Sequence, residues 1–324
     1  MRNHFLRASG VPSSGNTFGG VTTDLEVHYD FSRTDCWNRG TSTNAADYTV
    51  NNLAKNYNDA IFRSRTGSST SFRDGSDSPC ITFNSSDGGG CLEMGGDNWD
   101  GNEDNCALML PGAYSNSTSS HPAYNISTVA ASSSENLFNG LGTGAFTTEQ
   151  WIRLYGNESD GNGIASMLQL AGRASGEDDD DLWNNFWLLY INNGYTSNLY
   201  TDEAYIINAN SNGSNTRMDP NFLTNVPGTP TSGAGWSYWL HIVMVRESGT
   251  GSNNFKVYVN NTLEETYTTH AVNFTALQYG RLLYAHSATS VQQRLGIYRA
   301  YKGKALTSSE VTTNWNDQKA RFGH

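Results

Sequence analysis

Carboxylate and amide side chains are dense in the segment Asp97–Asp104, which reads DNWDGNED. Hard oxygen ligands on a flexible loop suit Ca²⁺, and Gly101 would allow a sharp bend among them. The candidate metal ligands are the four carboxylates Asp97, Asp100, Glu103 and Asp104. Because their spacing does not match the twelve-residue EF-hand loop, a solvated acidic loop is the alternative interpretation. Ca²⁺ is the one cofactor that the sequence suggests.

Aromatic rings that neighbour amide side chains could bind sugars at two places in the chain. Trp99 follows Asn98 inside the acidic segment, and Trp183 precedes Asn184 and Asn185. An aromatic ring can stack on a sugar while an amide forms hydrogen bonds with its hydroxyls, although packing within a loop is the alternative for both tryptophans. We therefore predict a carbohydrate-binding set of Trp99, Asn98, Trp183 and Asn184. Three further tryptophans lie in periodic patterns and are predicted to be core residues: Trp151, Trp239 and Trp315.

Catalytic carboxylate pairs are missing from the predicted strands. Glycan hydrolysis needs two carboxylates that face each other across the sugar, and no Glu-x-Asp-x-Glu pattern occurs. Glu158 and Asp160 come nearest, but they lie in the Asn- and Gly-rich segment 156–163, where a loop would not fix their separation. The histidines that could act as bases or metal ligands are His28, His241, His270 and His286. None of them has a Gly-x-Ser-x-Gly or His-Glu-x-x-His context, so we predict no catalytic residue and no enzymatic activity.

The four cysteines are Cys36, Cys80, Cys91 and Cys106. They show no Cys-x-x-Cys spacing, so we do not expect a zinc site. The opening residues, MRNHFLRASG, lack the apolar run of a signal-peptide core. We therefore expect reduced, mostly buried thiols. A Cys80–Cys91 bridge across a hairpin is the alternative if the protein acts outside a cell.

The charge balance disfavours two classes of partner. The formal net charge is −11, and no stripe of lysines and arginines offsets it, so nucleic acid and anionic membranes are not expected to bind. No apolar stretch reaches the length of a membrane span. Solubility alone is a sufficient interpretation of the acidic composition.

The elements that must position any site are predicted to be strands. Tyr and Trp are frequent, and Gly, Asn and Ser clusters separate short apolar runs, a pattern typical of an all-β sandwich or barrel. The predicted strands are Leu25–Phe31, Ile81–Phe83, Cys91–Met94, Phe146–Leu154, Phe186–Ile191, Trp236–Glu247, Phe255–Val259, Leu263–Tyr267 and Leu295–Tyr301. Trp236–Glu247 is apolar on both faces and should be central and covered on both sides. In the last strand we place Leu295, Ile297, Arg299 and Tyr301 on one face.

Local signals predict two turns and one helix. Asn tolerates positive φ, so Asn260-Asn261 predicts a tight hairpin, and Asp87-Gly88-Gly89-Gly90 predicts another. A helix is predicted over Thr307–Phe322, where Thr307 would be the N-cap and Glu310 would complete a capping box. Its apolar stripe would be Val311, Trp315 and Phe322.

The first 23 residues lack any apolar period and are interpreted as an extended arm, followed by one domain over residues 24–324. The arm carries cations in an otherwise acidic chain, so an acidic docking surface would complement it. The candidate docking residues are Arg2, Phe5, Leu6 and Arg7, in which the two apolar side chains would act as anchors.

Four segments, taken in order, resemble the laminin-G-like (concanavalin A-like lectin/glucanase) jelly roll. They are Leu25–Phe31 (LEVHYDF), Gly142–Leu154 (GTGAFTTEQWIRL), Trp239–Asn261 (WLHIVMVRESGTGSNNFKVYVNN) and Leu295–Gly323 (LGIYRAYKGKALTSSEVTTNWNDQKARFG). Asn261 stands where the family usually has Gly, and Tyr301-Lys302-Gly303 replaces the usual loop. The resemblance implies an all-β fold: a concanavalin A-like antiparallel sandwich with one C-terminal helix.

The closing segment is more particularly similar to the ends of such domains in structural proteins of tailed bacteriophages, notably marine and cyanobacterial phages. This likeness implies a non-enzymatic protein of the virion surface, made in the host cytoplasm, with a capsid decoration protein as the first expectation. Its partners would be other virion proteins, either the capsid shell or neighbouring copies in a homo-oligomer. The alternatives are a tail-fibre or receptor-binding component that recognises host surface glycans, a free carbohydrate-binding lectin and, less favoured, a glycan hydrolase.

Overall fold

The structure is a computed structural model, and it describes residues 19–39, 49–54, 59–63, 81–94, 107–111, 137–156, 164–171, 187–192, 204–209, 215–218, 235–249, 253–267, 279–285 and 293–324. In chain order these residues form β1 (Leu25–Asp30), β2 (Thr49–Val50), β3 (Ala60–Arg63), β4 (Ile81–Asn84), β5 (Cys91–Met94), β6 (Ala107–Met109), β7 (Phe146–Gly156), β8 (Ile164–Ala171), β9 (Trp187–Asn192), β10 (Ala204–Ala209), β11 (Asn215–Met218), β12 (Gly235–Trp236), β13 (Leu240–Arg246), β14 (Phe255–Val259), β15 (Thr262–Tyr267), β16 (Tyr279–Ala285), β17 (Gln293–Lys302) and α1 (Ser308–Gln318). Apart from the strand that was predicted to begin at Trp236, each predicted strand is confirmed to within two residues at either end.

The strands form two antiparallel sheets. The first sheet has the order β15-β14-β13-β7-β17-β5-β4, with β1 also paired to β17 and β12 to β7. The second has the order β11-β10-β9-β8-β16-β6-β3-β2. One apolar cluster joins side chains of both sheets, for example Tyr29 and Ile242 of the first with Leu108, Leu168 and Leu282 of the second. The predicted antiparallel β-sandwich is therefore confirmed.

The strand β13 lies in the middle of the first sheet, and all seven of its residues are buried. Its inner face joins the core between the sheets through Ile242 and Met244. Its outer face packs under α1, where Val243 and Val245 meet Val311. The prediction of a central strand covered on both sides is confirmed, but its predicted start at Trp236 was wrong. Trp236 belongs to the short strand β12, and the chain then leaves the sheet until Leu240.

A bulge in β17 changes which residues share a face. The register against β7 shifts between Leu295 and Ile297, so Leu295 joins the core between the sheets while Ile297 and Tyr301 lie on the outer face. The prediction that Leu295 shares a face with Ile297, Arg299 and Tyr301 was therefore wrong. The bulged residue is Gly296, where a Cβ would come within 2.7 Å of the Phe322 ring, so the close approach of that ring requires glycine.

The structure confirms the predicted Asn260-Asn261 hairpin and the predicted N-terminal cap of the helix. Asn260 and Asn261 adopt φ of +48° and +69°, the conformation of a type I′ hairpin between β14 and β15. At α1 the Thr307 side chain accepts from the Glu310 backbone N–H, and the Glu310 carboxylate accepts from the Thr307 N–H, so the capping box is confirmed. The helix ends at Gln318, four residues before its predicted end. No helix among the described residues is long and apolar enough to cross a membrane.

Two of the four cysteines can be placed. Cys36 and Cys91 are buried and free, which confirms reduced thiols at these positions and makes the alternative Cys80–Cys91 bridge wrong. Burial, with the nearby Asp87 charge, raises the pKa of Cys91 to about 12, so this thiol stays protonated at neutral pH. Cys80 and Cys106 lie outside the described residues.

Candidate binding site at the Asp87 turn

The site residues predicted from the sequence all lie outside the described ranges. These are the carbohydrate set (Trp99, Asn98, Trp183 and Asn184), the metal set (Asp97, Asp100, Glu103 and Asp104) and the docking set (Arg2, Phe5, Leu6 and Arg7). They stay predictions. Within the ranges that the structure does describe, no group of three or more His, Cys, Asp or Glu side chains could hold a metal ion.

The described residues bring together a different set, organised by the turn between β4 and β5. Gly88, Gly89 and Gly90 adopt φ of +55°, +70° and +125°, and the Gly90 N–H donates to the Asp87 carbonyl at 2.9 Å. Three successive positive φ values are accessible to glycine at little cost. At Gly88 a Cβ would also lie 2.9 Å from the rings of both Phe322 and Trp239. The glycines therefore let the turn fold tightly against the outer face of the first sheet.

The Asp87 carboxylate bridges two arginines. Arg153 of β7 and Arg294 of β17 lie directly opposite each other in register, a like-charge arrangement that is unfavourable by itself. Asp87 Oδ2 accepts from Nη1 of both guanidinium groups, at 2.6 Å for Arg153. Its Oδ1 accepts from the Trp239 indole at 2.9 Å. Burial alone would raise the pKa of Asp87, but the Trp239 and Arg153 hydrogen bonds and the arginine charges hold it below the usual 3.8.

Arg294 connects this ion pair to a second carboxylate and to an aromatic ring. Its Nε donates to Glu93 Oε2 at 2.7 Å, and the Asn84 amide donates to the same oxygen at 2.8 Å. Its guanidinium lies over the Trp236 ring, 3.7 Å from the centroid, at the distance of a favourable cation–π contact. Arg153 donates through Nε to the Ser237 carbonyl, which ties the segment between β12 and β13 to the same cluster.

These groups are accessible from solvent. The side chains of Asp87, Glu93, Arg153 and Arg294 are between 12% and 25% exposed, and Trp236 is half-buried. Tyr238, two residues after Trp236, is 53% exposed. We call the six residues together the Asp87 site: Asp87, Glu93, Arg153, Arg294, Trp236 and Tyr238. Aromatic surface beside charged hydrogen-bonding groups can bind a sugar, whereas an ionised Asp87 is unsuited to donate a proton.

A second polar cluster resembles a catalytic pair but is sealed. Glu149 and His241 are both 0% exposed on the outer face of the first sheet, with His241 Nε2 at 3.0 Å from Glu149 Oε1. Arg299 and the Asn314 amide also donate to this carboxylate. Burial raises the pKa of Glu149, but the Arg299 charge, the interactions of His241 and the Asn314 hydrogen bond more than offset it, so the pKa lies below the usual 4.5. Because α1 covers Glu149 and His241, the pair is closed to solvent. We interpret the pair as part of the contact that holds α1 on the sheet, since Asn314 of α1 donates to Glu149.

The chain just before β1 closes this cluster from the side. The Val21 N–H donates to Asn314 Oδ1 at 2.7 Å, and the Tyr301 hydroxyl donates to the Val21 carbonyl at 3.1 Å. Arg299 Nη2 donates to the Gly19 carbonyl at 3.3 Å. We call residues 19–21 the strap. These residues belong to the predicted arm, yet they are bonded to the domain, while the boundary at residue 24 stays a prediction.

Sequence reasoning missed the Asp87 site, although one signal was present. The Asp87–Gly90 turn was predicted, and it is the feature that carries the central carboxylate. The prediction that Trp151 and Trp239 are core residues is confirmed, and Trp315 is half-buried and stacks on Trp151 at 5.3 Å between centroids. Arg153 lay in a predicted strand, but nothing in its sequence neighbourhood indicates a partner across the sheet.

No protein-family model matches the chain, and no curated protein matches it. Solved structures are similar in fold. The binding domain of paraclostridial mosquitocidal protein 1 matches with a TM-score of 0.50 and 12% identity, over 91% of this chain and 52% of that chain. The binding domain of botulinum neurotoxin DC in complex with SialylT matches with a TM-score of 0.50 and 12% identity, over 92% and 52%. The binding domain of botulinum neurotoxin serotype D/C VPI 5993 matches with a TM-score of 0.51 and 9% identity, over 92% of this chain and 53% of that chain.

This chain therefore spans about half the length of the structures that it matches. At these identities the likeness shows the fold alone: the chain has an antiparallel β-sandwich similar to that of these solved structures.

Proposed function

We propose that this chain is a non-enzymatic binding domain that recognises surface glycans through the Asp87 site. The observation that carries the proposal is the stacking of Trp236 on one arginine of the pair that Asp87 bridges, with the exposed Tyr238 in the segment bonded to the same cluster. An aromatic face binds the apolar side of a sugar ring, and fixed charged groups select its hydroxyl pattern.

The similar structures support a binding role. Those with the same fold are described as binding domains, and one of them was solved in complex with SialylT.

The carboxyl groups of the described residues support a non-enzymatic role. A glycoside hydrolase needs a carboxylic acid with a raised pKa as proton donor. Among the described residues, the carboxyl groups with a resolved shift all have lowered pKa values, namely Asp87, Glu149 and Glu310.

A glycan microarray tests the proposal, with a matched pair of variants. Tyr238 and Leu263 are the two large apolar side chains that are most exposed among the described residues, at 53% and 48%. Leu263 lies on β15, at the opposite edge of the first sheet. Tyr238→Ala should weaken glycan binding about three- to tenfold through lost stacking, whereas Leu263→Ala should bind like the wild type. Equal binding by both variants, or no binding by the wild type to any glycan, would contradict the proposal.

The setting that we propose for this domain is the surface of a virion. The likeness of the closing segment to tailed-phage structural proteins supports a capsid decoration protein, docked through Arg2, Phe5, Leu6 and Arg7 to the shell or to neighbouring copies. The glycan-binding role would equally suit a tail fibre. Antibody labelling of intact particles distinguishes the two, because a decoration protein labels the head and a fibre component labels the tail.

Truncation tests the docking role of the arm. Deletion of residues 1–18 leaves the strap in place and should preserve the melting temperature while abolishing incorporation into particles. Deletion of residues 1–23 removes the three strap hydrogen bonds as well and should also lower stability, by about 1–3 kcal/mol. A protein without residues 1–18 that still assembles would show that docking occurs elsewhere.

Calcium binding by Asp97, Asp100, Glu103 and Asp104 is a separate proposal. Added Ca²⁺ should raise the melting temperature, and Asp100→Ala should abolish that rise. A melting temperature that does not change with Ca²⁺ would contradict it.

A further inference from the structure

The hydrogen bonds of the Asp87 site leave donors and acceptors unequally occupied. Arg153 uses Nε and Nη1, and so does Arg294. Within the part of the chain that the structure describes, the Nη2 amino group of each arginine has no hydrogen-bond partner, although both side chains reach solvent. Two amino groups of two neighbouring guanidiniums are therefore available to a ligand.

The acceptors are largely occupied. Asp87 Oδ1 accepts from Trp239, and Oδ2 accepts from both arginines. Glu93 Oε2 accepts from Arg294 and from Asn84, which leaves Oε1 as the one carboxylate oxygen of the site without a partner among the described residues. A ligand thus meets more donors than acceptors.

The two guanidiniums are also close together. Their Nη1 atoms bond the same oxygen, Asp87 Oδ2, so they cannot be more than about 5 Å apart. Planar guanidinium groups match the two oxygens of a carboxylate better than they match single hydroxyls. The Trp236 ring, stacked under Arg294, supplies apolar surface next to this donor pair. The exposed Tyr238 lies between Ser237, which accepts from Arg153, and Trp239, which donates to Asp87.

We propose that the Asp87 site takes an acidic saccharide, with the ligand carboxylate on Nη2 of Arg153 and Arg294 and the sugar ring against Trp236 and Tyr238. This inference rests on the proposed glycan-binding function and adds the chemical class of the ligand. Because Asp87 and Glu93 balance the two arginine charges, the number of available donors, and not a net positive potential, sets the preference.

Calorimetric titration with matched probes tests the proposal: 3′-sialyllactose against lactose, and tetragalacturonate against its methyl ester. The acidic member of at least one pair should bind about tenfold more tightly than its neutral partner. Arg153→Lys keeps a positive charge beside Asp87 but lacks Nη2, so it should weaken binding of the acidic probe at least fivefold more than binding of the neutral probe. Glu93→Gln removes the nearby negative charge and should raise the affinity for the acidic probe about two- to fivefold.

The outcomes separate this inference from the broader function. If neutral glycans bind as tightly as acidic ones, or if only neutral glycans on the microarray bind, the acidic class is wrong while glycan recognition stands. If Arg153→Lys weakens acidic and neutral probes equally, the arginine acts on the fold and the proposed contact is wrong. If no glycan binds, both the function and its ligand class are overturned.

Discussion

Replacement of Glu149 by glutamine should be strongly destabilising, because this carboxylate compensates a buried cation. Arg299 is 1% exposed, and the fully buried Glu149 contacts it at 3.4 Å under α1. Its second carboxylate partner, Asp317 at 3.8 Å, is 27% exposed and therefore compensates the charge less. Breaking a buried ion pair by removing one partner typically costs about 3–5 kcal/mol, since the remaining charge is buried and uncompensated. We therefore expect Glu149→Gln to lower the free energy of unfolding by about 3–5 kcal/mol in urea denaturation.

The pH dependence of the same variant gives an independent check. The folded-state pKa of Glu149 lies below the usual 4.5, so its contribution is complete above that value and is lost as the pH falls through the folded pKa. The wild type should lose more stability than Glu149→Gln when the pH is lowered from 5 to 3. The control is Glu310→Gln at the helix N-terminus, where the carboxylate is 27% exposed, and it should cost about 1 kcal/mol. A Glu149→Gln cost no larger than that of the control would refute the buried ion pair.

Two further predictions compare matched substitutions. Tyr298 and Tyr301 are both fully buried in β17, but the Tyr298 hydroxyl has no hydrogen-bond partner among the described residues, whereas that of Tyr301 donates to the Val21 carbonyl. Tyr298→Phe should leave the free energy of unfolding unchanged or raise it, and Tyr301→Phe should lower it by about 1 kcal/mol in the same urea assay; the opposite order would contradict the hydrogen-bond assignment. Gly88→Ala adds contacts at 2.9 Å to a positive φ, whereas Gly303→Ala meets no atom within 4 Å at φ +79°. The first should lower the melting temperature clearly more than the second, and equal shifts would show that the Gly88 turn can relax.

The first sheet was predictable because its strands carry regular patterns. Strand β1 alternates, β13 is apolar except for His241 and Arg246, and the Asn260-Asn261 hairpin has the turn residues that its geometry needs. These local signals match the final structure, except at the start of β13 and in β17, where the bulge at Gly296 puts Leu295 and Ile297 on opposite faces.

Most of the second sheet was not predicted, because its strands are short or irregular. Strand β8 carries a register shift between Ser166 and Leu168, and β16 contains Leu283 at φ +51°, so neither keeps a period of two. Strand β2 has only two residues, too few for any pattern. Their place in the sheet comes from pairing with distant strands.

The candidate site depends still more on long-range contacts. The Asp87 turn was predicted from its glycines, but its partners Arg153 and Arg294 lie 66 and 207 residues away along the chain. The sequence placed Arg153 in a predicted strand and Arg294 just before another, but it does not indicate that β7 and β17 are neighbours. The Glu149 cluster was missed for the same reason, since it joins three strands, a helix and the strap.

The measurement that tests the central claim most directly is a titration of the wild-type protein and Tyr238→Ala with the glycan that binds best on the microarray. Heat release and the appearance of new reducing ends should be followed in the same samples over several hours. A non-enzymatic binding domain should give saturable binding that is about three- to tenfold weaker in Tyr238→Ala, with the glycan recovered intact. Steady release of new reducing ends, or identical titrations for the two proteins, would contradict the claim.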